Sequence, residues 1–343
     1  MQIKIRNKKI GNFSKPYVIA EIGSNFNQSF ETAINLINAA KNAGANAAKF
    51  QLFDTNQLYK KNHPLFRSFK KCELNKNWIK KLLRYTESLN LDFFLSVFDL
   101  KSAETAFKAG VKHFKIASSE VTNLKLINLL SSFETNIYLS TGMSDYFEIE
   151  KALHIINLNQ SKINKVVIMH CTSLYPSSDE DVNLNVIDDY KKRYDSPIGF
   201  SDHTLGSLAS ILAVSKGVCF FEKHITLNKT DEGPDHFYAL EPNEFKEYIN
   251  NLNKSFIICG HSKKKFLDKE KQSNRKKGIY ANKNIKINNK ISFKDLKFDS
   301  PQKDISIDFA SIFIDSIAVK NIKKDEPLSF DHVKPNKKKN KDV

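Results

Sequence analysis

The chain has no run of about 18 apolar residues, so no segment of it is built to cross a membrane as a helix. Its first sixteen residues, MQIKIRNKKIGNFSKP, alternate charge and apolarity and lack the apolar core of a secretion signal. Cysteine is scarce. Cys72, Cys171, Cys219 and Cys259 are scattered with no CxxC spacing, which predicts reduced thiols in a cytoplasmic protein. Acidic residues are also short, 38 against 54 basic ones, for a net charge of +16. Residues 263–277 carry a net +6 and residues 334–343 a net +4, so most of the excess lies in two segments with the composition of a linker and a tail. Neither segment interleaves the aromatics that a stacking platform for bases requires. The expectation is no nucleic-acid partner and no membrane partner. A non-catalytic carbohydrate- or polyanion-binding protein, with binding that weakens steeply in salt, is the remote alternative.

What the chain does have is enough apolar residue, 41% of 343, to build a sizeable core for one large domain and a small one. Eight apolar, β-branched or aromatic runs recur at 17–23, 46–53, 92–98, 112–118, 136–142, 165–172, 197–201 and 218–225. Between them lie stretches with helical spacing. In 31–45, Ala33, Ile34, Ile37, Ala40 and Ala43 share a face, and Gly44 stands where a helix C-cap belongs. The segments 77–89, 147–158 and 205–217 repeat the pattern, and a last helix is expected near 242–259. Eight strands alternating with helices predict an α/β fold, a (β/α)8 TIM barrel. A doubly wound sheet is the alternative, but eight uninterrupted units favour closure. The barrel is assigned to 1–260, a lysine-rich linker to 261–273, a small β-rich domain to 274–335 and a basic tail to 336–343. The small domain has short alternating strands, Asn/Lys/Asp turns and an Asn-Ile-Lys echo at 284–286 and 321–323.

In a (β/α)8 barrel the C-terminal ends of the strands build the active site, and residues two apart on a strand point the same way. Polar pairs at that spacing end five runs: Lys49/Gln51, Ser118/Glu120, Ser173/Tyr175, Ser201/His203 and Glu222/His224. Glu21, Ser96 and Ser140 add single polar residues at comparable depth. His203 and His224 fall on neighbouring strands, about 4.8 Å apart, so both imidazoles reach one divalent ion. Two neutral nitrogens suit Mn²⁺, Fe²⁺, Co²⁺ or Zn²⁺, with water and substrate oxygens completing the shell. His170 has the opposite parity from Ser173 and is expected to be structural. Lys49 and Lys115 are ammonium groups at the ends of apolar strands and need an anionic partner. A bound phosphate or carboxylate is one solution; an internal pair with Glu21, Glu120 or Glu222 is the other. Lys115 and Ser118 are three apart, so either a bulge intervenes or one of them belongs to the loop.

The segments VIAEIGSNFNQS, AAKFQ, FKIASSE, LSTGM, HCTSLYP, GFSDHT, EKHITL and GPDH…LEP resemble, in order, the signature segments of sialic acid (N-acetylneuraminate) synthases, which carry a C-terminal antifreeze-like (SAF) domain. The resemblance runs from about residue 16 to 335. It implies condensation of phosphoenolpyruvate with an N-acyl hexose of the N-acetylmannosamine type and water, giving a nonulosonic acid and phosphate. Legionaminic or pseudaminic acid synthesis from a di-N-acyl dideoxyhexose is the alternative within the class. A divalent metal on His203 and His224 is implied, Mn²⁺ first, with Mg²⁺ or Co²⁺ as substitutes. Glu21, Lys49, Lys115 and Glu120 are the implied catalytic groups. Gln51, Ser96, Ser118, Ser140, Ser173, Tyr175, Ser201, Asp235 and Lys277 are the implied substrate contacts. Ser96 stands where the family commonly has Thr, and Ser173 where Asn often occurs. Lys277, with Arg275 nearby, stands where the SAF domain usually offers an Arg to the partner subunit's site, so the bidentate fork is lost. A domain-swapped homodimer is the implied assembly.

Overall fold

The computed structural model of the protein describes residues 2–133, 135–159 and 166–334; the end of the small domain at 335 and the basic tail at 336–343 lie outside them. The chain divides into two compact units at Gly260/His261. In the first, a hairpin of β1 (Gln2–Ile5) and β2 (Lys8–Gly11) precedes eight parallel strands that close into a barrel. These are β3 (Tyr17–Gly23), β4 (Ala47–Leu52), β5 (Asp92–Val97), β6 (His113–Ile116), β7 (Asn136–Ser140), β8 (Val166–Cys171), β9 (Ile198–Asp202) and β10 (Phe220–His224). A helix of eight or more residues follows each strand: α1 (Phe30–Ala43), α2 (Ile79–Ser88), α3 (Leu100–Lys108), α4 (Leu124–Ser131), α5 (Tyr146–Asn159), α6 (Val186–Arg193), α7 (Leu208–Ser215) and α8 (Pro242–Cys259). The expected (β/α)8 barrel is the fold.

Local chemistry explains the punctuation. Ser29 caps α1 by accepting from the Thr32 amide, and Gly44 ends it at φ 95°, a left-handed conformation that costs glycine least. Ala33, Leu36, Ile37, Ala40 and Ala43 form its buried face against the barrel. The outer faces of the strands and the inner faces of the helices share one large apolar cluster.

A second cluster fills the barrel's interior at its N-terminal end. Ile19, Phe94, Tyr138, Met169 and Phe220 point inward there, and Ile3, Ile5 and Ile10 of the hairpin pack onto them. Each of these isoleucines contributes about 1.5–3 kcal/mol by leaving water. The hairpin is therefore a plug, and the opposite mouth is left for chemistry. Arg6 fastens it by donating to Asp92 Oδ1 at 2.6 Å, while Tyr17 donates to Asp92 Oδ2 at 2.6 Å.

His113 stacks on Phe94 in this interior, with ring centroids 4.5 Å apart, and burial lowers its pKa to about 4. The unfolded chain takes up that proton near pH 6.5. Stability therefore falls as pH drops through this window, by about 2 kcal/mol between pH 7 and 5 from this residue alone. His113→Phe keeps the stack and is expected to remove that increment. Urea unfolding at the two pH values measures it, and an unchanged difference would show that other groups dominate the acid response.

The second unit, described by itself, has β11 (Gly278–Ala281) paired antiparallel with β12 (Leu296–Asp299), and β13 (Ile317–Ala318) with β14 (Val333–Lys334). The two Asn-Ile-Lys segments meet: Ile285 and Ile322 exchange backbone hydrogen bonds of 2.8 and 2.9 Å. Ile279, Ile291, Phe313 and Leu328 are in its core. The stretch read as linker holds a short helix, Asp268–Gln272.

Candidate active site

At the C-terminal end of the barrel, four charged side chains, none more than 4% exposed, form one network. Lys49 Nζ lies 3.1 Å from Glu21 Oε2 and 3.1 Å from Glu222 Oε1, and it donates to Ser96 Oγ at 2.9 Å. Lys115 Nζ donates to both oxygens of Glu222 at 2.9 Å. Ser201 donates to Glu222 at 3.0 Å, and Gln51 Nε2 to Glu21 Oε1 at 2.8 Å. Strand register dictates the arrangement, because Glu21 pairs with Lys49, Ser96 with Lys115 and Ser201 with Glu222. Internal pairs of the lysines with Glu21 and Glu222, one of the two expected arrangements, are present.

The two carboxylates are driven apart. Burial raises the pKa of Glu21, and Lys49 only partly opposes it. Burial acts the same way on Glu222, but Lys115 and Lys49 outweigh it and hold that group well below the usual carboxylate range. Burial, with Lys49 adding to it, lowers Lys115 despite Glu222. Two carboxyls in one site with opposed environments divide into a permanent anion and a group able to carry a proton. Glu222 is thereby favoured in its ionised form, while the proton affinity of Glu21 is raised.

Beside this network Ser118, Ser173 and Gly142 converge. The Gly142 amide donates to Ser118 Oγ at 3.1 Å, and a Cβ at Gly142 would stand 2.5 Å from Ser173 Oγ and 2.9 Å from Ser118 Oγ. Ser140 Oγ and Ser173 Oγ are buried with no hydrogen-bond partner. An orphaned hydroxyl costs about 1–3 kcal/mol, which an oxyanion placed there would offset.

Above lie the histidines. The His203 and His224 rings have centroids 5.6 Å apart. The Thr172 carbonyl accepts from His203 Nδ1 at 2.8 Å, which fixes a proton on that nitrogen. Burial lowers the His203 pKa, but Cys171 outweighs it and raises the group above its ordinary value, so an ion bound at Nε2 would have to displace a proton. Burial and the neighbouring His203 push the His224 pKa well below its ordinary value, so its ring is neutral at pH 7. Tyr175 packs on both rings, and Tyr238 lies against His224 and donates to Asp235 Oδ1 at 2.9 Å. A Cβ on Gly23 (φ 57°) would meet Asp235 Oδ2 at 3.1 Å and Gln51 and Glu21 at 3.5 Å, so these three groups surround one point. No group of three or more His, Cys, Asp or Glu arranged to hold a metal is present among the described residues. The donor set is the two imidazoles, with Asp235 Oδ2 3.9 Å from His224 Nδ1, and it fits a borderline divalent ion completed by water or substrate oxygens.

The barrel mouth thus gathers most of the residues singled out from the sequence. Glu120, in the turn directly after β6, accepts from Asn123 Nδ2 at 2.8 Å, and Lys277 is an exposed residue of the second unit. Ser118/Glu120 and Ser173/Tyr175 are not strand pairs, because β6 ends at Ile116 and β8 at Cys171. Ser118 belongs to the loop, which removes the Lys115/Ser118 parity conflict. His170 is structural, its Nε2–H donating to the Val182 carbonyl at 2.6 Å and its ring stacking on Phe200. Cys171, Tyr238 and Gly142 were not singled out. Cys171 sits two residues before Ser173, 3.8 Å from His203 Nδ1. Burial raises its thiol, but His203, Lys115 and Ser118 outweigh that and bring it to about 7.

Residues 36–264 match the model of the NeuB family. The chain is 34% identical to the N,N'-diacetyllegionaminic acid synthase of Campylobacter jejuni over 91% of its own length and 98% of that protein. It is 31% identical to the human N-acetylneuraminate-9-phosphate synthase, covering 81% of this chain and 80% of that one. The crystal structure of N-acetylneuraminic acid (sialic acid) synthetase from Leptospira borgpetersenii, in complex with citrate, superposes with a TM-score of 0.75 at 31% identity, over 80% of this chain and 95% of that one. The chain belongs to the NeuB family, the family of the sialic acid synthases.

Proposed function

We propose that this protein condenses phosphoenolpyruvate with an N-acyl hexose of the N-acetylmannosamine type and water, releasing a nonulosonic (sialic) acid and phosphate. The observation that carries the reading is the convergence, at one end of the barrel, of a buried Lys49/Lys115 pair, orphaned serine hydroxyls and two facing imidazoles. Lys49 and Lys115 balance the donor's carboxylate and phosphate, helped by Ser96 and Ser201. Ser118, Ser140, Ser173 and the Gly142 amide cradle the phosphate. His203 and His224 would hold a divalent ion, Mn²⁺ first, which when bound would supply Lewis-acid polarisation of the sugar's aldehyde. Glu21, with its raised pKa, accepts a proton from the water that adds at the donor's second carbon. Gln51, Tyr175, Asp235 and Tyr238 orient the sugar, and Glu120 and Lys277 are assigned to it on resemblance. The second unit is read as an SAF domain, the assembly as a domain-swapped homodimer and the location as cytoplasmic. Among the described residues no helix is long and apolar enough to cross a membrane.

A second reading, legionaminic acid synthesis from a di-N-acyl dideoxyhexose, is favoured by the 34% identity to the Campylobacter jejuni enzyme over 91% of this chain. One assay separates the two. Purified protein is supplied with Mn²⁺, phosphoenolpyruvate and a panel of N-acyl and di-N-acyl hexoses, and released phosphate and product mass are recorded. No phosphate release with any sugar would overturn both readings.

The cradle makes its own prediction. Gly142→Ala pushes a methyl group onto Ser118 and Ser173 and brings it 3.1 Å from the Cys171 carbonyl at the end of β8. The KM for phosphoenolpyruvate is expected to rise about 100-fold, the order set by losing two charge-assisted hydrogen bonds, with the sugar KM within a few-fold. A rise confined to the sugar would move the phosphate elsewhere.

A further inference from the structure

The helix-facing side of β9 and β10 holds another buried ion pair, which the chemistry above does not use. Asp202 and Lys223 are register partners, 1% and 2% exposed, and each immediately precedes a histidine of the site in sequence. Alternation turns them away from the mouth while His203 and His224 face it. Lys223 Nζ lies 3.0 Å from Asp202 Oδ2 and donates to the Thr204 carbonyl. Asp202 Oδ1 accepts from the Thr204 amide at 2.9 Å and from its hydroxyl at 2.7 Å. Asp202 Oδ2 accepts from Ser210 Oγ of α7 at 2.7 Å, and Ser210 in turn pairs with Tyr248 Oη of α8 at 2.7 Å.

A buried ion pair is a poor source of net stability, because desolvation consumes most of the attraction. An apolar pair would hold a strand to a helix equally well. What the charges accomplish here is local: they bind the amide, hydroxyl and carbonyl of Thr204, so the backbone on both sides of His203 is tied to the residue preceding His224. We propose that the Asp202–Lys223 pair is a positioning element that holds the two imidazoles in mutual register for a shared divalent ion. This rests on the two-histidine reading of the site. Ligand orientation by groups behind the ligands is worth roughly 10–100-fold in metal affinity.

The test uses full-length, chelator-treated protein and Mn²⁺ alone, with binding read from the free-ion paramagnetic resonance signal. Lys223→Met and Asp202→Asn are expected to weaken Mn²⁺ binding by roughly 10–100-fold. Thr204→Val, which removes one hydroxyl bond, should weaken it several-fold. The KM for phosphoenolpyruvate should stay within about twofold, and excess Mn²⁺ should restore turnover. Tyr248→Phe touches the network beyond Ser210 without any bond to 202–204 and should bind as the parent does. Parent-like affinity in the folded variants overturns the proposal, as does a joint loss of Mn²⁺ and phosphoenolpyruvate binding that excess metal fails to restore. If Lys223→Met does not fold, Thr204→Val decides, and unchanged affinity there refutes the brace. A parent protein that binds no Mn²⁺ overturns the two-histidine reading itself, a result distinct from parent binding with indifferent variants.

Discussion

Replacing either His203 or His224 with Ala is expected to lower kcat/KM by at least about 10³-fold while leaving a folded barrel. That figure corresponds to losing roughly 4 kcal/mol of transition-state stabilisation, the scale of one electrophilic contact to a developing oxyanion. Both rings are at the mouth and pack against Tyr175 and Tyr238, outside the apolar cluster that fills the barrel below. Truncation therefore removes donors without opening the core. Mn²⁺ affinity and turnover should fall together. The single variants should each lose nearly all activity and the double variant little more, since one imidazole leaves too few protein donors. Full turnover by either variant in chelator-treated buffer would remove the metal from the mechanism.

How much of this was legible follows from where each residue lies. On β10, and one residue past the end of β9, the period-two spacing still describes the chain: Ser201 contacts Glu222, and the His203 and His224 rings lie 5.6 Å apart. In the loops after β6 and β8 the backbone leaves the extended conformation, and period-two reasoning has no purchase on Glu120 or Tyr175. The hairpin β1–β2 is not legible because two four-residue strands, QIKI and KKIG, carry no sign of what their isoleucines cover. Only the closed barrel creates an open apolar end for Ile3, Ile5 and Ile10 to plug. Asp202 and Lys223 were passed over for a related reason. At outward parity a charge reads as facing water, and nothing local reveals that α7 and α8 bury it with a partner of opposite sign. The lysines' partners had two candidate answers because cross-barrel distances depend on closure, which brings Glu222 of the last strand to Lys115 of the fourth barrel strand, β6.

Glu222→Gln is the most disruptive single change expected in the network. Lys49, Lys115, Glu21 and Glu222 together carry no net charge, and Glu222 is the carboxylate shared by both ammonium groups. The amide removes one negative charge and turns two N–H donors toward groups that are themselves donors. Removing one member of a buried charge set costs about 3–5 kcal/mol, because the partner is left desolvated and unpaired. Burial already depresses Lys115, and without Glu222 its pKa should fall further. Stability of the variant should then decrease as pH falls, since the unfolded lysine binds its proton and the buried one resists it. An external anion can take the lost carboxylate's place. Millimolar phosphate or phosphoenolpyruvate should raise the melting temperature of the variant more than that of the parent, as mass action on the folded state requires. Urea unfolding at several pH values, with and without phosphate, measures all three effects. A cost below 1 kcal/mol, or equal stabilisation of both proteins by phosphate, would mean that the four groups are not electrostatically coupled and that Lys49 and Lys115 are not the anion's binding partners.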